Sequence, residues 1–176
     1  MLGLVNVGLL MRRSIWNYPF GLAMVAIYAF VFFDEKLYSD AGLQVFFFVV
    51  QIYGWMQWAK ARDEEGLVIV KTLTNDAVAA YAGSAFAIWV VLGTFMKSFT
   101  DAAFPFWDSS IAALSIIAQV MLARRLIENW FLWIAVDILA IGLFAIKGLY
   151  PTAALYLVFL AMSVGGYFGW RRARSR

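Results

Sequence analysis

The chain has 176 residues, 64% hydrophobic, 18% aromatic and 14% charged, more apolar surface than one water-soluble core can cover, so it reads as an integral membrane protein. It contains no His and no Cys, which removes the commonest metal ligands, thiol chemistry, disulfides and the usual neutral-pH acid and base, and with them metalloenzymes and Ser-His hydrolases. The net charge of +3 comes from short basic clusters between apolar segments, a pattern of membrane topology rather than of nucleic-acid binding.

Seven apolar segments follow one another, each bounded by charge or by Gly, Pro or Asn. Residues 1–11 are too few to span a bilayer, which takes roughly 20, and are followed by Arg12 and Arg13. They lack the basic leading residues of a cleavable secretory signal. The second segment starts near Asn17-Tyr18-Pro19, where a proline is tolerated, and runs to about residue 33. The third covers about residues 41–58. A polar connection at 60–76 reads as a solvent-exposed linker, with Leu67-Val68-Ile69-Val70 as a shallow interfacial piece. The fourth segment, about 77–96, carries Gly83, Ser84 and Gly93, which permit close helix approach. The fifth covers about 108–123, the sixth 129–146 and the seventh 151–170. Eleven Lys and Arg fall on the side of the C-terminus and three, Lys36, Lys97 and Lys147, on the other. This bias predicts a cytoplasmic C-terminus.

Shifted by 112 residues, the chain resembles itself without a gap: Arg12-Arg13 meet Arg124-Arg125, Asn17 meets Asn129, Leu37-Tyr38 meet Leu149-Tyr150, Gly54 meets Gly166 and Trp58 meets Trp170. Four helices separate equivalent positions, so the two units cross in the same sense and form a parallel repeat. The expected fold is all-α, seven transmembrane helices in a 3+1+3 arrangement, like the sugar-transporting SWEET class, whose substrate sits near the midplane between the halves. The expected divisions are 1–58 for the first three-helix unit, 59–107 for a cytoplasmic linker and linking helix, 108–170 for the second unit and 171–176 for a basic cytoplasmic tail. The same offset sets Asp108 before residue 1, so the first helix reads as truncated, with a native start expected upstream of Met1.

The polar positions inside these segments are the candidate site. Trp130, Trp133 and Asp137 fall at i, i+3 and i+7, on one helical face. A carboxylate within hydrocarbon costs several kcal/mol unless it faces protein, water or a ligand. Gln44, Gln51, Trp55 and Trp58 share a face of the third segment, and their repeat counterparts are Tyr156, Ser163, Tyr167 and Trp170. Gln51, Trp55, Gln57, Trp58, Asn129, Trp130, Trp133, Asp137, Tyr156 and Ser163 are the expected substrate-binding residues. Asn17, Pro19, Gly54, Pro151 and Gly166 are the expected gating or hinge positions. An indole wall with one carboxylate suits an aromatic cation, each cation-π contact contributing roughly 0.5–2 kcal/mol. Trp58 and Trp170, beside basic residues, also fit an interfacial aromatic belt, and Asp137 also fits a structural acid bonded to another helix.

The strings Ser14-Ile15-Trp16-Asn17-Tyr18-Pro19-Phe20-Gly21, Lys36-Leu37-Tyr38-Ser39-Asp40-Ala41, Gln51-Ile52-Tyr53-Gly54-Trp55-Met56-Gln57-Trp58, Glu128-Asn129-Trp130-Phe131-Leu132-Trp133 and Lys147-Gly148-Leu149-Tyr150 resemble the PnuC family of bacterial vitamin transporters over nearly the whole chain. The resemblance implies a seven-helix bundle, often trimeric, in the bacterial inner membrane. It implies facilitated diffusion of nicotinamide riboside, or in relatives of thiamine or riboflavin, with trapping by a cytoplasmic kinase. No cofactor or metal and no ATP hydrolysis is expected. Other classes fit less well. A retinal photoreceptor needs a Lys within its last helix, and residues 151–170 have none. A membrane enzyme would rest on Asp137 alone, and a structural or assembly subunit has no need of an intramembrane acid.

Overall fold

The computed structural model describes residues 2–34 and 38–174, the side chains of residues 38–40 excepted. Lys36 and Leu37, used above for topology and repeat, and Arg176 of the tail lie outside the described residues. Among the described residues there are seven helices: α1 Leu2–Met11, α2 Asn17–Asp34, α3 Tyr38–Ala59, α4 Asn75–Phe99, α5 Pro105–Ala123, α6 Asn129–Ile146 and α7 Tyr150–Arg174. Of these, α2, α4, α5, α6 and α7 are long and apolar enough to cross a membrane. With three glutamines, α3 is more polar. The ten residues of α1 cover about 15 Å, half a hydrocarbon core.

Helices α1, α2, α3, α5, α6 and α7 touch in that order, and α7 returns to α1, so six helices close a ring. The fourth packs on α5 alone among the described helices. The contact of α1 with α7 and that of α5 with α3 are related by the 112-residue offset, as a pseudo-twofold ring requires. Burial repeats with the same offset. Ala41, Gln51, Gly54 and Trp58 are buried in α3, and Ala153, Ser163, Gly166 and Trp170 in α7. The buried stripe of α2, Asn17, Tyr18, Gly21 and Val25, is matched in α6 by Asn129, Trp130, the partly buried Trp133, and Asp137. In a bilayer the lipid-facing side is as apolar as the packed side, so close van der Waals fit rather than water exclusion holds such helices together. Gly54 and Gly166 show this fit: a Cβ at Gly54 would collide with Tyr18, and one at Gly166 with the indole of Trp130.

Helices α1 and α5 end in the same way. Arg13 N donates to Leu10 O and Ser14 N to Leu9 O, while Arg125 N donates to Leu122 O and Leu126 N to Met121 O. These pairs satisfy the last carbonyls by a Schellman motif, whose C′ residue takes a left-handed conformation and is usually glycine. Here it is Arg13 at φ 57° and Arg125 at φ 66°, a choice that costs roughly 1–2 kcal/mol each. Two arginines held at this cost call for a use of their side chains.

Most residues of the connection at 60–74 are exposed, but one of them enters the core. Val68 is 0% exposed and belongs to the core cluster with Leu10, Tyr18, Trp58, Leu122, Ile127, Trp130 and Trp170. A turn closed by Gly66 at φ 76° reverses the chain. Val68 N then donates to Arg13 O at 3.3 Å, Lys71 N to Arg125 O at 2.8 Å and Ile127 N to Lys71 O at 2.9 Å. The segment thus runs from the end of one half to the end of the other. Its four-residue apolar run is too short to form a spanning helix, but in extended form it supplies backbone donors to both turns and one side chain to the core.

Candidate functional site

Asp137 lies halfway along α6 and is 4% exposed. Ser163 Oγ, in mid-α7, donates to Asp137 Oδ2 at 2.9 Å. That bond satisfies part of the carboxylate and leaves lone pairs for another donor or a cation. One and two turns back on the same face stand Trp133 and Trp130, whose buried Nε1 atoms have no hydrogen-bond partner among the described residues, and neither has Asn129 Oδ1. Unmatched donors and an unmatched acceptor thus lie along the same helix face as a buried acid. Tyr156, stacked on Phe144 with centroids 5.4 Å apart, is within electrostatic range of Asp137.

In the other half, Gln51 occupies the position equivalent to Ser163. Its Oε1 and the Nδ2 of Asn6 both lie over Gly21, where a Cβ would overlap them; Asn6 Nδ2 also donates to Asn17 O at 2.6 Å. Gly21 corresponds to Trp133, so one half gives this space to amides and the other to an indole. Asn6 was missed by the sequence reasoning. It is the single residue of α1 with a polar side chain, which was the available signal.

Trp58 and Trp170 are neither belt residues nor open to a central space. Both are 0% exposed. Trp58 Nε1 donates to Leu122 O at 3.1 Å and Trp170 Nε1 to Leu10 O at 3.0 Å, so each indole is bonded to the helix end of the opposite half. Their rings are 5.8 Å apart, with Trp130 edge-on to Trp170 at 5.6 Å. This layer packs with Val68 in one core cluster at the basic end of the ring. Replacing both tryptophans by Phe should lower thermal stability by about 1–3 kcal/mol for two lost hydrogen bonds. It should also open the end to reagents: because the chain has no Cys, Val68→Cys supplies a unique thiol, and its maleimide labelling should accelerate in the double variant. Unchanged labelling would show that the indoles do not hold this end shut.

The remaining expected residues fall elsewhere. Trp55 is 39% exposed, with its ring parallel to Tyr18 at 6.3 Å. Gln57 lines a separate cleft at the basic end with Lys71 and Arg124. Asn17 and Asn129 each turn the side-chain amide back onto a carbonyl three residues earlier, Ser14 O and Leu126 O, fixing the helix starts. Pro19 and Pro151 sit in the first turns of α2 and α7, where a missing N–H breaks no helix bond.

Comparison with known proteins follows the same geometry. The chain is similar to the nicotinamide riboside transporter PnuC of Escherichia coli (strain K12), 30% identical over 200 residues that span 99% of this chain and 84% of that one. The riboflavin/roseoflavin transporter RibM of Streptomyces davaonensis is 28% identical, with 97% of this chain and 81% of that one covered. A crystal structure of the vitamin B3 transporter PnuC superposes with a TM-score of 0.80 at 30% identity, over 99% of this chain and 79% of the other. The profile of the family described as nicotinamide mononucleotide transporter matches residues 1–172. The chain is therefore a multi-pass membrane transporter rather than an enzyme, and it belongs to the nicotinamide mononucleotide transporter family.

Proposed function

We propose that this protein imports nicotinamide riboside across the bacterial inner membrane by facilitated diffusion, with thiamine as the alternative cargo and riboflavin a more distant one. The observation that carries the reading is the buried Asp137–Ser163 pair on the same inner face as Trp130 and Trp133. Nicotinamide riboside and thiamine each carry a fixed positive charge on an aromatic ring, which a carboxylate and indole faces favour. The same acid repels a phosphate monoester, which favours the riboside over its mononucleotide. The amides of Gln51 and Asn6, with Tyr156, Ser163 and Asn129, offer partners for ribose hydroxyls and a carboxamide. Riboflavin, which is neutral, has support from the similarity to RibM and none from the acid.

In this reading residues 1–58 and 108–170 form two three-helix units that rock about the midplane, with 59–107 as linker and linking helix, 171–176 as the tail, and the C-terminus in the cytoplasm. Gly54 and Gly166, each packed closely on a neighbouring helix of its own unit, are the flexing points as the units move, with Asn17, Pro19 and Pro151 at helix entries. The tryptophan layer and Val68 form the cytoplasmic gate. Release there supplies a cytoplasmic kinase that traps the vitamin. The largely exposed α4 supports a homo-oligomer, a trimer by family resemblance. Its small Gly83, against whose open side none of the described residues packs, suits contact with a neighbouring subunit.

The test is uptake by proteoliposomes containing the purified protein. Radiolabelled nicotinamide riboside should equilibrate without exceeding its outside concentration, unaffected by ATP or a proton gradient. Accumulation driven by a pH gradient would replace facilitated diffusion with proton coupling, and uptake of riboflavin alone would remove the cationic substrate.

A further inference from the structure

At the basic end, a cleft of about 340 Å³ lies between α3 and α4, with the end of α5 and residues 71–74 as its other walls. Helices α3 and α4 do not contact each other among the described residues, whereas both contact α5. The cleft is lined by Lys71, Arg124 and Arg125 and by the hydroxyl residues Thr72, Thr74 and Tyr81, and no carboxylate lines it. The acids nearest in sequence, Asp76 and Glu128, are not among the lining residues, and Glu128 Oε2 accepts from Leu73 N at 3.1 Å. Thr74, the N-cap of α4, makes no side-chain cap bond, so its hydroxyl is uncommitted beside the positive end of a helix dipole.

The two repeat-related arginines show what distinguishes this cleft. Arg13 has spent its guanidinium: Nη1 is 3.6 Å from Asp63 Oδ2 and donates to Val68 O at 3.1 Å. Arg125 stands in the same left-handed turn of the other half. It is 9% exposed, its Nε has no hydrogen-bond partner, and it has no ion-pair partner among the described residues. Two cations beside it, Lys71 and Arg124, add to the charge; Arg124 Nη1 meanwhile orients the Tyr81 hydroxyl at 3.0 Å. Three cations converging with hydroxyls and no acid favour a tetrahedral dianion or monoanion whose oxygens accept from guanidinium, ammonium and O–H groups together.

We propose that this cleft is a phosphate-group site, separate from the transport pathway, formed by Arg125, Arg124 and Lys71 with the hydroxyls of Thr72, Thr74 and Tyr81. Its position between two membrane helices admits the headgroup of an anionic phospholipid, as basic pockets at a membrane interface do. The exposed Val49 and Met56, one turn either side of Tyr53, give the acyl chains an apolar path along α3. A soluble phosphate monoester presents the same chemistry from the aqueous side.

The experiment uses the full chain in detergent, with native mass spectrometry and thermal unfolding as readouts. Phosphatidylglycerol should bind and raise Tm, and phosphatidylcholine should not. Arg125→Gly should weaken phosphatidylglycerol binding about tenfold or more without lowering the lipid-free Tm, because glycine suits the left-handed turn. The double variant Lys71→Gln/Arg124→Gln, at two exposed positions, should weaken it similarly, whereas Arg13→Gly should leave it unchanged. If millimolar inorganic phosphate raises Tm without lipid, displaces phosphatidylglycerol and loses both effects in Arg125→Gly, the site stands with a soluble anion as its ligand. Equal binding of the two lipids with no response to phosphate would overturn the proposal. So would phosphatidylglycerol binding that survives both Arg125→Gly and the double variant.

Discussion

Asp137→Asn should abolish tight binding of a cationic vitamin while leaving the protein folded. The amide is nearly isosteric, and its Oδ1 can still accept from Ser163 Oγ, the one bond the structure gives the carboxylate. Packing around α6 and α7 is therefore preserved and only the charge is lost. Truncating one partner of a buried, hydrogen-bonded charge pair costs roughly 2–5 kcal/mol, so affinity for nicotinamide riboside or thiamine should fall by about 30-fold at least. Riboflavin provides the internal control, since a neutral ring has no charge to lose. Calorimetric titration of both proteins with the three vitamins would decide the matter. Unchanged affinity for the cationic vitamins would reduce Asp137 to a structural acid and reopen the reading of the chain as an assembly subunit.

Gly166→Ala carries the second large expectation, and it is opposite in sign to the local propensity. In a helix interior alanine is favoured over glycine by about 1 kcal/mol, so on its own α7 would gain. In the ring, the new Cβ collides with the indole of Trp130, which is 1% exposed and set edge-on against Trp170, so the ring has nowhere to move. Overpacking of this kind costs typically 1–3 kcal/mol. It falls at a glycine proposed to flex within its half as the halves rock. Gly166→Ala should therefore lower Tm in detergent and depress uptake, and Gly54→Ala, whose Cβ would strike Tyr18, should do the same in the other half. Gly42→Ala, with open space around the new methyl, should not lower Tm. Equal behaviour of all three variants would mean that helix propensity, not close approach, governs these positions.

Much of the fold was legible in the amino-acid order. Charged and Pro, Gly or Asn punctuation marked the helices to within a few residues, and the two arginine pairs, two asparagines, glycines and tryptophans at one offset disclosed the repeat. The structure bears out that offset bond by bond: Trp58 to Leu122 and Trp170 to Leu10 are the same hydrogen bond written twice. Asp137 announced itself because a carboxylate in an apolar helix is costly wherever it points. The partners of these residues were not legible. Apolar periodicity identifies a buried face only when the other face meets water, and here both faces meet hydrocarbon or protein.

By itself, then, the sequence determined the number and approximate bounds of the helices, the repeat and the presence of a buried acid, because each is a local or self-comparing property. Only the tertiary structure decided that six helices close a ring with α4 outside it, and that Ser163 serves Asp137. It alone seated Val68 in the core and left Arg125 with no ion pair among the described residues where Arg13 has one. Those outcomes depend on which groups lie within hydrogen-bond reach across 26 to 160 residues of chain, and no pattern along a single helix carries that distance.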